Sequence, residues 1–219
     1  MAGNWKKTRN VASTPIFEKK FYIFCEGTKT EPNYFQGIKK KIEKKAIYKN
    51  SVFVDIQGVG EGTIKIIEQA EKYVKKHQLK DAEVWIVYDK DDFTPDDFNK
   101  VVERAIALNN NDRNVIYNVA WSNQCIEYWF ILYFDYYVSD NDRSYYIDYL
   151  SEKFKNLKIG KYIKNDADIF EKLETYGDAD RAVRYAEKRL KEFEGLSDAK
   201  KVPATKVHLL YQKLKIYFS

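Results

Sequence analysis

The stretch VWIVYDKDDF, residues 84–93, decides how the rest of the chain is organised. An apolar run ends abruptly in three carboxylates, Asp89, Asp91 and Asp92. A continuous apolar segment bounded by turn-forming acids is the pattern of a strand buried on both faces. Ligands of open α/β sheets gather at the carboxyl ends of such strands. Asp89 and Asp91 therefore stand where chemistry would be done.

Working outward, residues 21–25 (FYIFC) form a short apolar strand ending at Glu26 and Gly27, and residues 51–56 (SVFVDI) form a second. Residues 84–88 are the third strand and residues 114–120 (NVIYNVA) the fourth, with residues 121–123 read as a turn. Helices are expected over about 32–46, 63–77 and 95–108. Pro32 suits the first of these and Thr94-Pro95-Asp96-Asp97 opens the last with a cap, a first-turn proline and first-turn acids. Strands alternating with helices of this length predict βαβ units in a parallel sheet. If Glu26 and Asp89 converge, the first and third strands are neighbours and the order is 2-1-3-4.

From Gln124 the pattern changes. Residues 125–134 are apolar on every side, which predicts a buried helix. Further helices are expected over about 143–154, 167–173, 180–193 and 204–217. The expected organisation is a basic arm (1–20), an α/β domain of about four strands (21–138), and a helical extension packed on it (139–219).

Hydrophobic residues make up 44% of the 219 and charged residues 32%, enough for a real core in a soluble chain. The longest apolar run, residues 128–134, is too short for a bilayer, so no membrane partner is expected. The first ten residues, MAGNWKKTRN, lack a signal-peptide core, and Cys25 and Cys125 make no disulfide framework, so the expected location is cytoplasmic. Residues 1–50 carry 12 Lys/Arg against 4 Asp/Glu, whereas residues 51–138 carry 9 against 15. A basic arm beside an acidic centre fits a protein that gathers a polyanion around a carboxylate site. Solvated helix faces in a Lys-rich chain fit the same counts.

Glu26, Asp89 and Asp91 each follow a buried strand, so a parallel sheet sends all three out of one edge. Crowded carboxylates repel unless a cation or a shared proton offsets them, and hard oxygen donors suit Mg²⁺ or Mn²⁺. Any one of these acids alone also fits a helix cap. Glu127, in the first turn of the all-apolar helix, needs a metal, a basic partner or the helix N-terminus to offset its burial. Lys29 and Glu31 lie in the loop after the first strand, where Lys29 is placed to neutralise phosphate charge and Glu31 to join the acids or cap a helix. Asp92 fits support of the same site, and Ser122 and Asn123 have capping potential. His208 stands alone on the last helix, as packing histidines do. The glycines of GVGEGT (Gly58, Gly60, Gly62) match neither a P-loop nor a dinucleotide fingerprint.

CEGTKTEPNYF (25–35), VYDKDDF (87–93), AWSNQCIEYWFILYF (120–134) and PATKVHLL (203–210) together resemble the RloB-like family. The chain departs from the usual family wording at Gln124, Ile126 and Val202. The resemblance implies a Toprim-like, Rossmann-like α/β fold and an association with phage defence and abortive infection. It further implies Mg²⁺ (or Mn²⁺) held by Glu26, Asp89 and Asp91, with Glu127 joining the catalytic set. Phosphoryl transfer on RNA or DNA follows, as nuclease chemistry, with a defence-system ATPase or another protein as a partner. Two alternatives stay open on the residues. One is a haloacid-dehalogenase-type phosphatase built on Asp89-Lys90-Asp91, with Gly177-Asp178-Ala179-Asp180 as its second acidic motif. The other is a non-catalytic subunit that senses nucleic acid or binds a partner.

Overall fold

The computed structural model describes residues 17–62, 64–91, 93–111 and 114–219. Most of the expected basic arm, and Asp92 with it, lies outside them. A five-stranded, mostly parallel sheet is flanked by eight α-helices among these residues. The strands are β1 (Lys19–Cys25), β2 (Val52–Gly58), β3 (Ala82–Asp89), β4 (Val115–Asn123) and β5 (Ala204–Thr205). Their order is β2-β1-β3-β4-β5, so β1 and β3 are neighbours, as convergence of Glu26 and Asp89 requires. The helices are α1 (Thr30–Lys44), α2 (Ile64–His77), α3 (Pro95–Asn111), α4 (Glu127–Leu132), α5 (Arg143–Asn156), α6 (Ile169–Tyr176), α7 (Ala179–Glu192) and α8 (Val207–Lys215).

Alternation along the strands sorts the core into two layers. Ile23, Cys25, Trp85 and Val87 face α1 and the C-terminal helices. Tyr22, Phe24, Val84, Ile86 and Tyr88 face α2 and α3. Both faces of β1 and β3 are therefore covered, which is why their sequences are apolar without a break. At the start of α3 the Thr94 hydroxyl accepts from the Asp97 amide at 3.2 Å and donates to the Asp97 carboxylate at 2.8 Å, the expected cap.

Three expectations need correction. Lys19 and Lys20 belong to β1 and not to the arm, because they pair with Val52 and Phe53 of β2. Residues 121–123 are the end of β4 and not a turn, since Asp89 pairs with Ser122 on one side and β5 pairs with Ser122 and Asn123 on the other. Ala204 and Thr205 therefore form the fifth strand, antiparallel to β4, where a helix was expected to begin, and α8 starts at Val207. The C-terminal region thus adds a strand to the sheet as well as helices to its face.

The all-apolar segment folds as expected into a helix buried on every side, but a short one. Every residue of α4 is buried, and it packs against α5 and α7. Trp129 Nε1 donates to the Tyr34 hydroxyl at 2.9 Å, and the Tyr34 and Tyr133 hydroxyls lie 2.8 Å apart. Buried aromatic side chains with polar tips are tolerated here because the tips satisfy one another.

Candidate functional site

The parallel register puts the carboxyl ends of β1 and β3 side by side: Cys25 is level with Val87, and the Glu26 amide donates to Val87 O at 2.9 Å. One step further, the Asp89 amide donates to Glu26 Oε2 at 3.0 Å. Beyond β3, the Lys90 amide donates to Ser122 O and the Asp91 amide to Gln124 O, so the sheet pattern continues into the acidic turn and fixes it against β4. Asp91 has φ +37°, in the left-handed region that aspartate tolerates better than most residues. The Ile126 amide, just before α4, donates to Asp89 Oδ2 at 3.2 Å, while Asp89 Oδ1 is buried with no hydrogen-bond partner.

Two further acids close around this edge. Glu31, in the first turn of α1, is buried and accepts from the Gly27 amide at 3.2 Å, reaching back over the loop instead of capping the helix. Glu127 opens α4, buried, and accepts from the Tyr162 hydroxyl at 2.9 Å. Lys164 Nζ stands 3.8 Å from Glu127 Oε1, so the buried acid does have a basic partner. Arg143 Nη1 lies 3.0 Å from Asp91 Oδ1, an ion pair without hydrogen-bond alignment.

The electrostatics are those of a site short of positive charge. Burial pushes the Asp89 carboxyl well above the usual range, and Glu31, Glu127, Asp91 and Glu26 all add to the shift. Burial likewise raises Glu31; its two backbone hydrogen bonds and Lys164 work the other way, and Glu127 adds to the rise. Cys25 and Cys125 are buried beside these acids and free. Burial is the main cause that raises both thiols, so they line the site as thiols and not thiolates.

Glu26 is pushed up to about 7, chiefly by burial, against the hydrogen bond from the Asp89 amide and with Glu31 and Asp91 adding. Its native value lies above the ordinary 4.5, so the folded state holds this proton more tightly than the unfolded chain. The stability it contributes is complete below pH 4.5 and lost as pH rises through about 7. Melting temperatures in chelator are expected to fall between pH 5 and 8, less steeply in Glu26→Gln. Equal slopes for variant and parent would mean that Glu26 titrates normally.

The residues assigned from sequence thus divide. Glu26, Glu31, Asp89, Asp91 and Glu127 come together. Lys29 is exposed at the head of α1. Ser122, Asn123 and His208 take their hydrogen bonds from the C-terminal segment: Ser122 Oγ is 3.1 Å from Thr205 Oγ1, Asn123 Nδ2 donates to Ala199 O at 3.1 Å, and His208 Nδ1 lies 3.1 Å from Thr205 O. Burial holds the His208 imidazole down to about 4, so it is neutral. Asp178 caps α7 by accepting from the Arg181 amide, and Asp180 pairs with Lys215, which leaves the second acidic motif of a phosphatase occupied structurally. Sequence reasoning did not find Arg143, Tyr162 or Lys164, whose approach depends on where the long C-terminal connections land.

The all-oxygen donor set and the orphaned Asp89 Oδ1 fit a hard divalent cation. Among the described residues, no three His, Cys, Asp or Glu side chains already stand in ligating positions around one point. Such an ion would therefore need the acids to turn inward.

Fold and site define an α/β protein with a parallel sheet and an acid cluster at its carboxyl edge. The RloB-like protein family model matches residues 21–214, nearly the whole chain, and the protein belongs to that family. No curated protein and no solved structure matches it. No helix among the described residues is long and apolar enough to cross a membrane.

Proposed function

We propose that the chain is a Mg²⁺-dependent phosphoryl-transfer enzyme of Toprim type, a nuclease cleaving RNA or DNA in bacterial anti-phage defence. The observation that supports it best is Asp89: one carboxylate oxygen is buried without a partner, and four other carboxylates surround it. A structure does not gather five acids at one sheet edge for stability, because each raises the cost of ionising the others. Glu26, Asp89 and Asp91, with Glu127 beside them, would hold a divalent cation that would offset that cost and supply an acidified water and charge stabilisation at a phosphate oxygen.

Within this chain, Glu26 would also serve as general base toward the attacking water. Asp89 is oriented through the Ile126 amide and Glu127 through Tyr162. The lysines in and just after α1 are partly committed elsewhere: Lys41 pairs with Glu174 and lies over the Phe170 and Phe218 rings, and Lys45, past the helix end, donates to Ser219 O.

The test is incubation of labelled tRNA, single-stranded RNA and DNA with and without Mn²⁺. Cleavage is expected only with the metal, and the double substitution Asp89→Ala/Asp91→Ala is expected to abolish it in a folded protein. Binding is expected to weaken steeply with salt, by about 0.7–0.9 in log affinity per log salt for each phosphate contact. A double variant that cuts as well as the parent would remove these acids from the chemistry. Binding of nucleic acid without cleavage under every metal condition would point to a sensing subunit.

A further inference from the structure

Among the described residues, Arg143 and Lys164 form ion pairs with acids of the cluster, and both come from the C-terminal region. Arg143 is the first residue of α5, with Asp142 before it capping the helix by accepting from the Ser144 amide at 2.9 Å. A guanidinium at a helix N-terminus is on the unfavourable end of the helix dipole, and its position is offset by Asp91 at 3.0 Å. Lys164 lies in the connection between α5 and α6. That connection is pinned to α1 by Thr30 Oγ1 donating to Lys164 O at 2.8 Å and Asn33 Nδ2 donating to Asn165 O at 3.2 Å. Asp166 two residues on is buried, pairs with Lys172 at 2.6 Å and accepts from the Asp168 amide, so the backbone that carries Lys164 is held from both sides. The two side chains themselves are about half exposed, Arg143 at 46% and Lys164 at 50%.

We infer that Arg143 and Lys164 are exchangeable counter-ions: they hold Asp91 and Glu127 in the metal-free protein, and turn outward to grip the nucleic-acid backbone once a divalent cation takes the acids. The inference rests on the metal-dependent function proposed above. It accounts for two facts together. The acids are crowded yet not arranged as ligands around one point, because two of them are drawn toward cations on the rim. And the cations that pair with Asp91 and Glu127 are an arginine and a lysine with about half their surface in water. A guanidinium offers a fork to phosphate and an ammonium a compact charge. The metal and the substrate should then help each other bind, since each releases what the other needs.

The test measures two affinities in the full chain. Mn²⁺ is titrated calorimetrically, and a short phosphorothioate single strand is titrated by fluorescence anisotropy with Mn²⁺ present. In Arg143→Gln and Lys164→Gln, Mn²⁺ affinity is expected to rise, by about two- to fivefold for a half-exposed ion pair removed. Affinity for the strand is expected to fall in the same variants, with the salt slope smaller by about 0.7. Arg143→Lys should restore both toward the parent, and Lys29→Gln should leave Mn²⁺ affinity unchanged. Melting curves confirm that the variants fold. Mn²⁺ affinity that stays the same or falls in both glutamine variants overturns the inference. Where the parent binds Mn²⁺ and Asp89→Asn does not, an unchanged or lower Mn²⁺ affinity in the glutamine variants counts against the inference alone; where the parent takes up no Mn²⁺, the proposed function fails with it.

Discussion

Asp89→Asn is expected to raise the melting temperature of the metal-free protein while removing its response to Mn²⁺ and its cleavage activity. The stabilisation follows from the crowding. Asp89 is held above its ordinary range by burial and by four neighbouring carboxylates. An asparagine of the same shape keeps an oxygen for the Ile126 amide, which now reaches Asp89 Oδ2 at 3.2 Å. Its amide group can donate into the acids where Asp89 Oδ1 has no partner. A buried group without a partner costs free energy, so supplying one is a gain. The loss of function follows from the same substitution, because a neutral amide is a poor ligand for a hard dication. Altering groups that merely orient metal ligands costs about 10–100-fold, so loss of a direct ligand is expected to cost at least the upper figure. The two effects have opposite signs, which a residue of purely structural importance would not show. Differential scanning calorimetry with and without Mn²⁺, beside the cleavage assay, reads both.

Trp129→Ala is expected to destabilise the protein by about 3–5 kcal/mol, the range for truncating a large aromatic in a well-packed core. Trp129 is fully buried in α4, packs edge-on against Tyr133 and tilted against Tyr211, and donates to the Tyr34 hydroxyl. The substitution leaves a cavity and removes one donor from the Tyr34–Tyr133 pair. For a chain of this size the fall in melting temperature is roughly 6–20 °C. Because α4 also carries Glu127 and follows the Ile126 amide that orients Asp89, Mn²⁺ binding is expected to weaken with it. Trp129→Phe keeps most of the ring contact and loses only the N–H, so its cost should be closer to that of one buried hydrogen bond, about 1–3 kcal/mol. Chemical denaturation of the two variants separates packing from hydrogen bonding. Equal costs would mean that the hydrogen bond to Tyr34 carries the whole effect.

The sheet and its acidic edge were legible because their signals are local. The unbroken apolar run into Asp89 reports a strand covered on both faces, and Glu26 after FYIFC reports a second one ending at the same edge. Requiring the two acids to meet was enough to place β1 beside β3. The extra strand was not legible: two residues, Ala204 and Thr205, carry no periodicity, and their pairing with Ser122 and Asn123 spans a long separation. The same limit hid Tyr162, Lys164 and Arg143, which sit in polar sequence like many solvated residues. Their meaning lies in the pins from Thr30 and Asn33 and in the packing of α5 on α4, which only the folded chain reveals. Lys29, close in sequence to the acids, was the natural choice for a phosphate-binding cation, yet nearness along the chain did not bring it into the cluster.

The central claim is that the cluster around Asp89 is a site for a divalent cation, and thermal melting with Mn²⁺ at neutral pH tests it most directly. Mn²⁺ is expected to raise the melting temperature of the parent protein by binding the native state, and to leave that of Asp89→Asn where it stands in chelator. An equal rise in both proteins, or none in the parent, would contradict it.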